Sequence, residues 1–199
     1  MIKIDNKAEE VVLGIDPGTN IMGYSFVVKR GKKIEILEMN VLKLNTKIEM
    51  STRMKTIFDF IINKINIYKP DIIALEAPFF GKNVQSMLKL GRVQGICIAA
   101  GLSKDIPFVE FEPKKVKQSI TGNGASSKEQ VAKMLQMTIG FNEIPKYLDA
   151  TDSLAVAVCY LNQNTLFSIE NKIEKKPSKS NVKKKTWTTF INENPNRCK

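Results

Sequence analysis

The 199 residues suffice for one domain of ordinary size with an appendage, and an apolar fraction of 43% supports a real core. Lys and Arg outnumber Asp and Glu by 31 to 20, giving a net charge of +11, which favours a polyanionic partner, nucleic acid before an anionic membrane. The absence of histidine excludes histidine general bases, Ser-His-Asp triads and histidine zinc sites, leaving chemistry to carboxylates, lysines or metal-bound water. No stretch approaches the roughly 20 apolar residues needed to span a bilayer, and the polar start MIKIDNKAEE is no secretory signal. Cys97, Cys159 and Cys198 are far apart and form no CxxC pair, so they read as reduced thiols in a cytoplasmic protein.

Taken in chain order, residues 11–16, 22–29 and 33–42 read as three strands joined by short turns. A helix over 51–68 follows, with Met54, Ile57, Phe58, Ile61, Ile62 and Ile65 at three-four spacing, and Pro70 ends it. DIIALE (71–76) is a buried strand, 83–101 a second helix and IPFVEF (106–111) a further strand. Helices at 113–120, 127–139 and 148–162 complete the body. Three antiparallel strands followed by alternating helices and strands predict an α/β fold, a mixed five-stranded sheet flanked by helices. The domain is expected over 1–165, with a basic, flexible C-terminal tail over 166–199. Residues 172–199 hold nine of the 31 Lys and Arg but only two of the 20 acids, so most of the excess charge lies there. Within that tail, Trp187, Phe190 and Ile191 recur at helical spacing.

The acids carry the chemistry. Asp16 ends the first strand in VVLGIDPGTN, and Glu76 ends the fourth in IIALEAPFF. If these strands are parallel neighbours, both carboxylates emerge at the sheet edge that ligand sites favour. Asp149 and Asp152, in YLDATDSLAVAVCYL, share a helix face that Val156 and Cys159 continue inward. Taken singly, each has a plainer reading: N-terminal capping for the aspartate pair, a turn for Asp-Pro-Gly. Glu76 resists one, because glutamate is rarely buried unpaired and the next basic residue is Lys82. Together, the four would repel: one pair about 4 Å apart costs roughly 4 kcal/mol at an effective dielectric near 20. Divalent cations with oxygen ligands offset this, and Mg²⁺ suits phosphate chemistry best. Two such ions about 4 Å apart activate water on one side and steady the leaving oxygen on the other.

The segments LGIDPGTNIMGYSF, IALEAPFFGKNVQSMLKLGRVQGI, PKKVKQSITGNGASSKEQV and DATDSLAVAV together resemble the RuvC family of bacterial Holliday junction resolvases, in order and over residues 11–162. The resemblance implies an RNase H-like fold, a homodimer, and Mg²⁺-dependent symmetric cutting of four-way DNA junctions in recombination and repair. Two Mg²⁺ per site are expected, with Mn²⁺ able to substitute. The family's catalytic, metal-holding acids fall on Asp16, Glu76, Asp149 and Asp152. Some members carry histidine in place of the last acid; this chain keeps aspartate. Phe79 matches an aromatic that stacks on a base at the junction centre, with core packing of Phe79 or Phe80 as the alternative. Lys117 and Lys128 match basic residues near the scissile phosphate, and Lys82 joins them as an expected DNA contact. A branch-migration helicase complex is an implied partner.

Two features read without the family. GNGASSKE sets a glycine loop before a helix, where Ser126 and Glu129 make a capping-box pattern and free amides favour an anion beside Lys128. Gly91, Gly95 and Ala99 form a smooth stripe, suited to helix packing within the chain or to a dimer seam. Three rival functions stand beside the resolvase. GIDPGTN also resembles the phosphate loop of actin-like kinases and chaperone ATPases, but 199 residues are too few for their two domains. A non-cleaving junction binder of the same fold would not need all four acids, and a generic RNase H-type nuclease would not select junctions. The tail is expected to add salt-sensitive, sequence-blind DNA affinity. Deleting 172–199 should therefore flatten the salt dependence of junction binding while cutting persists; an unchanged slope in a binding titration would contradict this.

Overall fold

The computed structural model describes residues 9–31, 33–77 and 83–174, with side chains of the last helix described through Gln163. Five strands form one sheet: β1 (Glu9–Asp16), β2 (Ile21–Arg30), β3 (Lys33–Lys43), β4 (Ile72–Glu76) and β5 (Phe108–Phe111). The helices are α1 (Met50–Tyr68), α2 (Val84–Leu102), α3 (Pro113–Thr121), α4 (Lys128–Ile139) and α5 (Asp149–Glu174). The strand order is β3-β2-β1-β4-β5. β1 pairs antiparallel with β2, and β2 with β3, whereas β1–β4 and β4–β5 are parallel. This is the expected mixed sheet. Among the described residues, no helix is long and apolar enough to cross a membrane.

Strand alternation divides the core. Leu13 and Ile15 of β1, with Ile73 and Leu75 of β4, pack against Ile57, Ile61 and Ile65 of α1 and Val93 and Cys97 of α2. Their neighbours Val12, Ile72 and Ala74 face the other way, towards Leu154, Val156 and Val158 of α5 and Val131 and Leu135 of α4. Successive side chains on a strand point to opposite faces. Asp16 and Glu76 thus belong to the same side as Val12 and Ala74, the side that α5 covers. The β1–β4 register, Val12↔Ile72 through Ile15↔Leu75, carries on to bring Asp16 level with Glu76.

Two glycines let α5 lie unusually close to the sheet. A methyl group built on Gly23 would stand 1.8 Å from the backbone oxygen of Asp149, and one on Gly14 would stand 2.2 Å from that of Ser153. Gly23 is the cross-strand partner of Asp16. The first turn of α5 therefore rests on bare backbone beside the carboxylate at the end of β1.

The structure departs from expectation in three places. β5 begins at Phe108, because Pro107 has no N–H to give the ladder, although its carbonyl still accepts from Ile73 N at 2.9 Å. The capping box at α4 is one residue later than the Ser126–Glu129 pattern: Ser127 is the N-cap and Gln130 completes the box. Ser126 is instead buried, its hydroxyl 2.8 Å from that of Thr121. Finally, α5 continues to Glu174 rather than ending near 162, because no proline or glycine interrupts it before Pro177. The tail residues 175–199, with Trp187, Phe190, Ile191 and Cys198, lie outside the described residues.

The glycine contacts predict that Gly23→Ala and Gly14→Ala each lower stability by roughly 1–3 kcal/mol, the range for overpacking a core. Urea unfolding monitored by circular dichroism measures this, and a change within a few tenths of a kcal/mol would show that α5 yields easily.

Candidate active site

Asp16 leaves the sheet at the C-terminal end of β1, and Asp149 and Asp152 occupy the first turn of α5. One carboxylate oxygen from each lies within 4.8 Å of the other two. Asp152 is buried, while Asp149 and Asp16 are half-buried. Glu76 stands beside this trio at the end of β4, close enough for its charge to act on Asp16 and to feel that of Asp152. The structure thus gathers all four predicted acids, three in a tight group and Glu76 at its flank.

Their environment resists so much negative charge. Burial, then the charges of Glu76 and Asp152, push the Asp16 carboxyl well above its ordinary range. Burial and Asp152 raise Glu76 to about 7, against the pull of Lys128 and Lys117. Burial also raises Asp152, with Lys128 opposing it. Desolvation and like charge both disfavour an ionised carboxylate.

Lys128 is the first residue of α4, and the capping box fixes its backbone: Ser127 Oγ accepts from Gln130 N at 3.3 Å, and Gln130 Oε1 accepts from Ser127 N at 2.9 Å. Its ammonium donates to Asp152 Oδ2 and lies 3.9 Å from Asp149 Oδ1. Burial works against that charge, but the hydrogen bond to Asp152 and the charges of Asp152, Asp16 and Asp149 outweigh it and raise the lysine's pKa. Lys117, on α3, acts through its charge on Glu76 and Asp152. Neither lysine is an isolated surface charge. Phe79 and Lys82 lie outside the described residues.

The donor set fits a hard divalent cation. It consists of carboxylate oxygens alone, which Mg²⁺, Ca²⁺ and Mn²⁺ prefer, and it holds more negative charge than one lysine in contact neutralises. Three supports escape a reading of motifs. Gly14 and Gly23 seat α5, as above. Arg53 Nη1 donates to the Thr19 carbonyl at 3.0 Å, tying α1 to the loop that follows Asp16. Lys43 Nζ lies 4.4 Å above the ring of Tyr147, at the approach to α5. Arg53, four residues before Ile57 beside the apolar stripe of α1, is a signal for the second; the first and third need the tertiary contact itself.

Comparisons with known proteins converge on one family. A sequence profile described as "Crossover junction endodeoxyribonuclease RuvC" matches residues 12–160. Curated proteins of that name from Christiangramia forsetii and Cytophaga hutchinsonii are 48% and 47% identical to the chain; the alignments cover 97% and 96% of it, and 95% and 89% of the relatives. The structure of T. thermophilus RuvC in complex with Holliday junction substrate superposes with a TM-score of 0.75 at 28% identity, covering 80% of this chain and 97% of that one. The yeast mitochondrial Holliday junction resolvase Ydc2, at 18% identity and a TM-score of 0.61, shares the fold.

The raised Glu76 pKa has a consequence for stability. A carboxyl with a higher pKa in the folded chain gives stability that is fully present below its unfolded value, near 4.5, and lost as pH rises through about 7. In chelator, the protein should lose stability between about pH 5 and pH 8, by roughly 2–3 kcal/mol from this group. Glu76→Gln should remove most of that loss, as read by urea midpoints across the pH range. An equal slope in the variant would mean that Glu76 ionises normally.

Proposed function

The chain belongs to the RuvC family of crossover junction endodeoxyribonucleases, and on that premise we propose that it resolves four-way DNA junctions by metal-dependent hydrolysis, with two Mg²⁺ per active site. The observation that carries this reading is the convergence of Asp16, Asp149 and Asp152 within 4.8 Å, with Glu76 beside them. In this reading, Asp16 would be the central ligand of the ions, and Glu76, Asp149 and Asp152 would complete the set. Divalent ions held there supply the charge that activates water and steadies the leaving oxygen. The chain's own part is to hold those oxygens rigidly at a strand end and a helix start, and to place cations opposite the developing charge. Lys117 and Lys128 serve the second purpose, neutralising charge on the scissile phosphate. Phe79 stacks on a base at the junction centre, worth roughly 1–3 kcal/mol, and Lys82 contacts the DNA backbone.

Two cuts at a two-fold symmetric junction call for two active sites, so the working form is a homodimer. The exposed face of α2 supports that assembly. Val84, Leu88 and Leu102 are exposed there, and a methyl group built on Gly91 or Gly95 meets nothing. Among the described residues, nothing packs on the stripe, which leaves it free for a second copy. Residues 1–165 form the nuclease domain, and 166–199 add basic, sequence-blind affinity. A branch-migration helicase complex is a further partner on the family's ground alone. The buried, unpaired Cys97 and Cys159 suit a reducing, cytoplasmic setting.

The test is a cleavage assay on a synthetic mobile four-way junction, beside linear duplex and RNA–DNA hybrid, in Mg²⁺ and in EDTA. Paired symmetric nicks confined to the junction and to Mg²⁺ are expected. Asp16→Asn, Glu76→Gln, Asp149→Asn and Asp152→Asn should each slow cutting by at least about a hundredfold, equivalent to about 2.7 kcal/mol of barrier, while junction binding persists or tightens. Binding without nicks in any metal would point to a binding protein, and equal cutting of hybrid to a general RNase H-type nuclease.

A further inference from the structure

Lys128 is placed strangely for a residue whose only task is to meet DNA. Its ammonium turns inward, donating to Asp152 and lying 3.9 Å from Asp149, and its charge also reaches Asp16 and Glu76. These are the oxygens that the metal reading assigns to divalent ions. A cation held by the three aspartates would lie within a few ångströms of that ammonium, and the two positive charges would repel strongly at such a distance. The structure also shows why a cation stabilises the ionised site. Among the described residues, one lysine in contact and another acting at longer range oppose four acids, and burial intensifies the acids' repulsion.

We propose that Lys128 is the resident counter-ion of the metal-free site: its ammonium occupies space between Asp152 and Asp149 that a divalent ion takes over, and metal loading releases the side chain. The backbone supports such a switch. The capping box holds residue 128 in place at the start of α4, so only the flexible four-carbon stem has to move. The side chain is half-exposed, so it has solvent to swing into. The stem stays anchored at the capped helix start, so a released ammonium stays beside the acids. One lysine would then serve two states in turn, holding the acids together before metal arrives and facing the DNA afterwards. The device also makes metal binding and phosphate contact mutually reinforcing, because each favours the outward lysine.

The proposal rests on the metal reading above, and its test separates the two. Full-length protein would be titrated with Mn²⁺ by calorimetry, and its melting temperature measured in EDTA near pH 8. Lys128→Met removes the charge and keeps the bulk; Lys128→Arg keeps the charge. If Lys128 competes with metal, Lys128→Met binds Mn²⁺ more tightly, about fivefold or more, although it has lost a site residue. In EDTA the same variant melts several degrees lower, and Mn²⁺ restores it; a variant that folds only with Mn²⁺ supports the proposal equally. Lys128→Arg stays near wild type in both measurements. Unchanged or weaker Mn²⁺ binding by Lys128→Met overturns the counter-ion role while leaving the metal site intact. Absence of Mn²⁺ binding in wild type, Lys128→Met and an Asp16→Asn control alike overturns the metal reading itself and the proposal with it.

Discussion

The close contact of α5 with the sheet governs the site. Gly23 pairs with Asp16 across the β1–β2 ladder and lies directly beneath the backbone oxygen of Asp149. Gly14 does the same, one turn on, for Ser153. Side chains at these positions would lift the start of α5, and with it Asp149 and Asp152, away from Asp16. Parallel pairing of β1 and β4 adds the second constraint, levelling Glu76 with Asp16 on the face that α5 covers. Three regular elements thus deliver four carboxylates without relying on a loop, which gives the precision that metal-assisted chemistry needs.

Such an assembly works against its own stability, and the chain answers in three ways. Burial and mutual repulsion keep protons on Asp16 and Glu76 beyond the ordinary carboxylate range. Lys128, in contact, and Lys117, through its charge, supply positive compensation. Divalent ions would supply more than either, and a site that is strained in their absence binds them with the energy of that strain relieved. Strained charge at a functional site, offset by a rigid core elsewhere, is a common compromise between stability and function. Here the core is firm on both faces of the sheet, with α1 and α2 on one side and α4 and α5 on the other.

Much of this is legible in the sequence, for physical reasons. An acid at the end of an apolar strand points to a sheet edge whatever the remaining topology, so Asp16 and Glu76 stand out. The three-residue spacing of Asp149 and Asp152, followed by an inward apolar stripe, marks a helix start that faces the sheet. What escapes is what depends on the partner surface. Gly14 and Gly23 look like ordinary strand glycines until α5 is laid across them. The pairs Ser126–Glu129 and Ser127–Gln130 fit the capping pattern equally well, and only the burial of Ser126 against Thr121 decides between them. Lys128 emerges from the sequence through the helix start beside it and through family resemblance, but its inward turn comes from the structure alone. The length of α5 is underestimated because the basic run beyond 172 reads as solvated linker, although nothing before Pro177 breaks a helix.

The central claim is that these four carboxylates form one metal site, held by a strand pair and a closely seated helix. Anomalous diffraction from crystals of the protein soaked in Mn²⁺ tests it most directly. An anomalous peak coordinated by Asp16 together with Asp149, Asp152 or Glu76 is expected, and its loss in Asp16→Asn. A peak elsewhere in the molecule, or a peak at this position that survives Asp16→Asn, would contradict it.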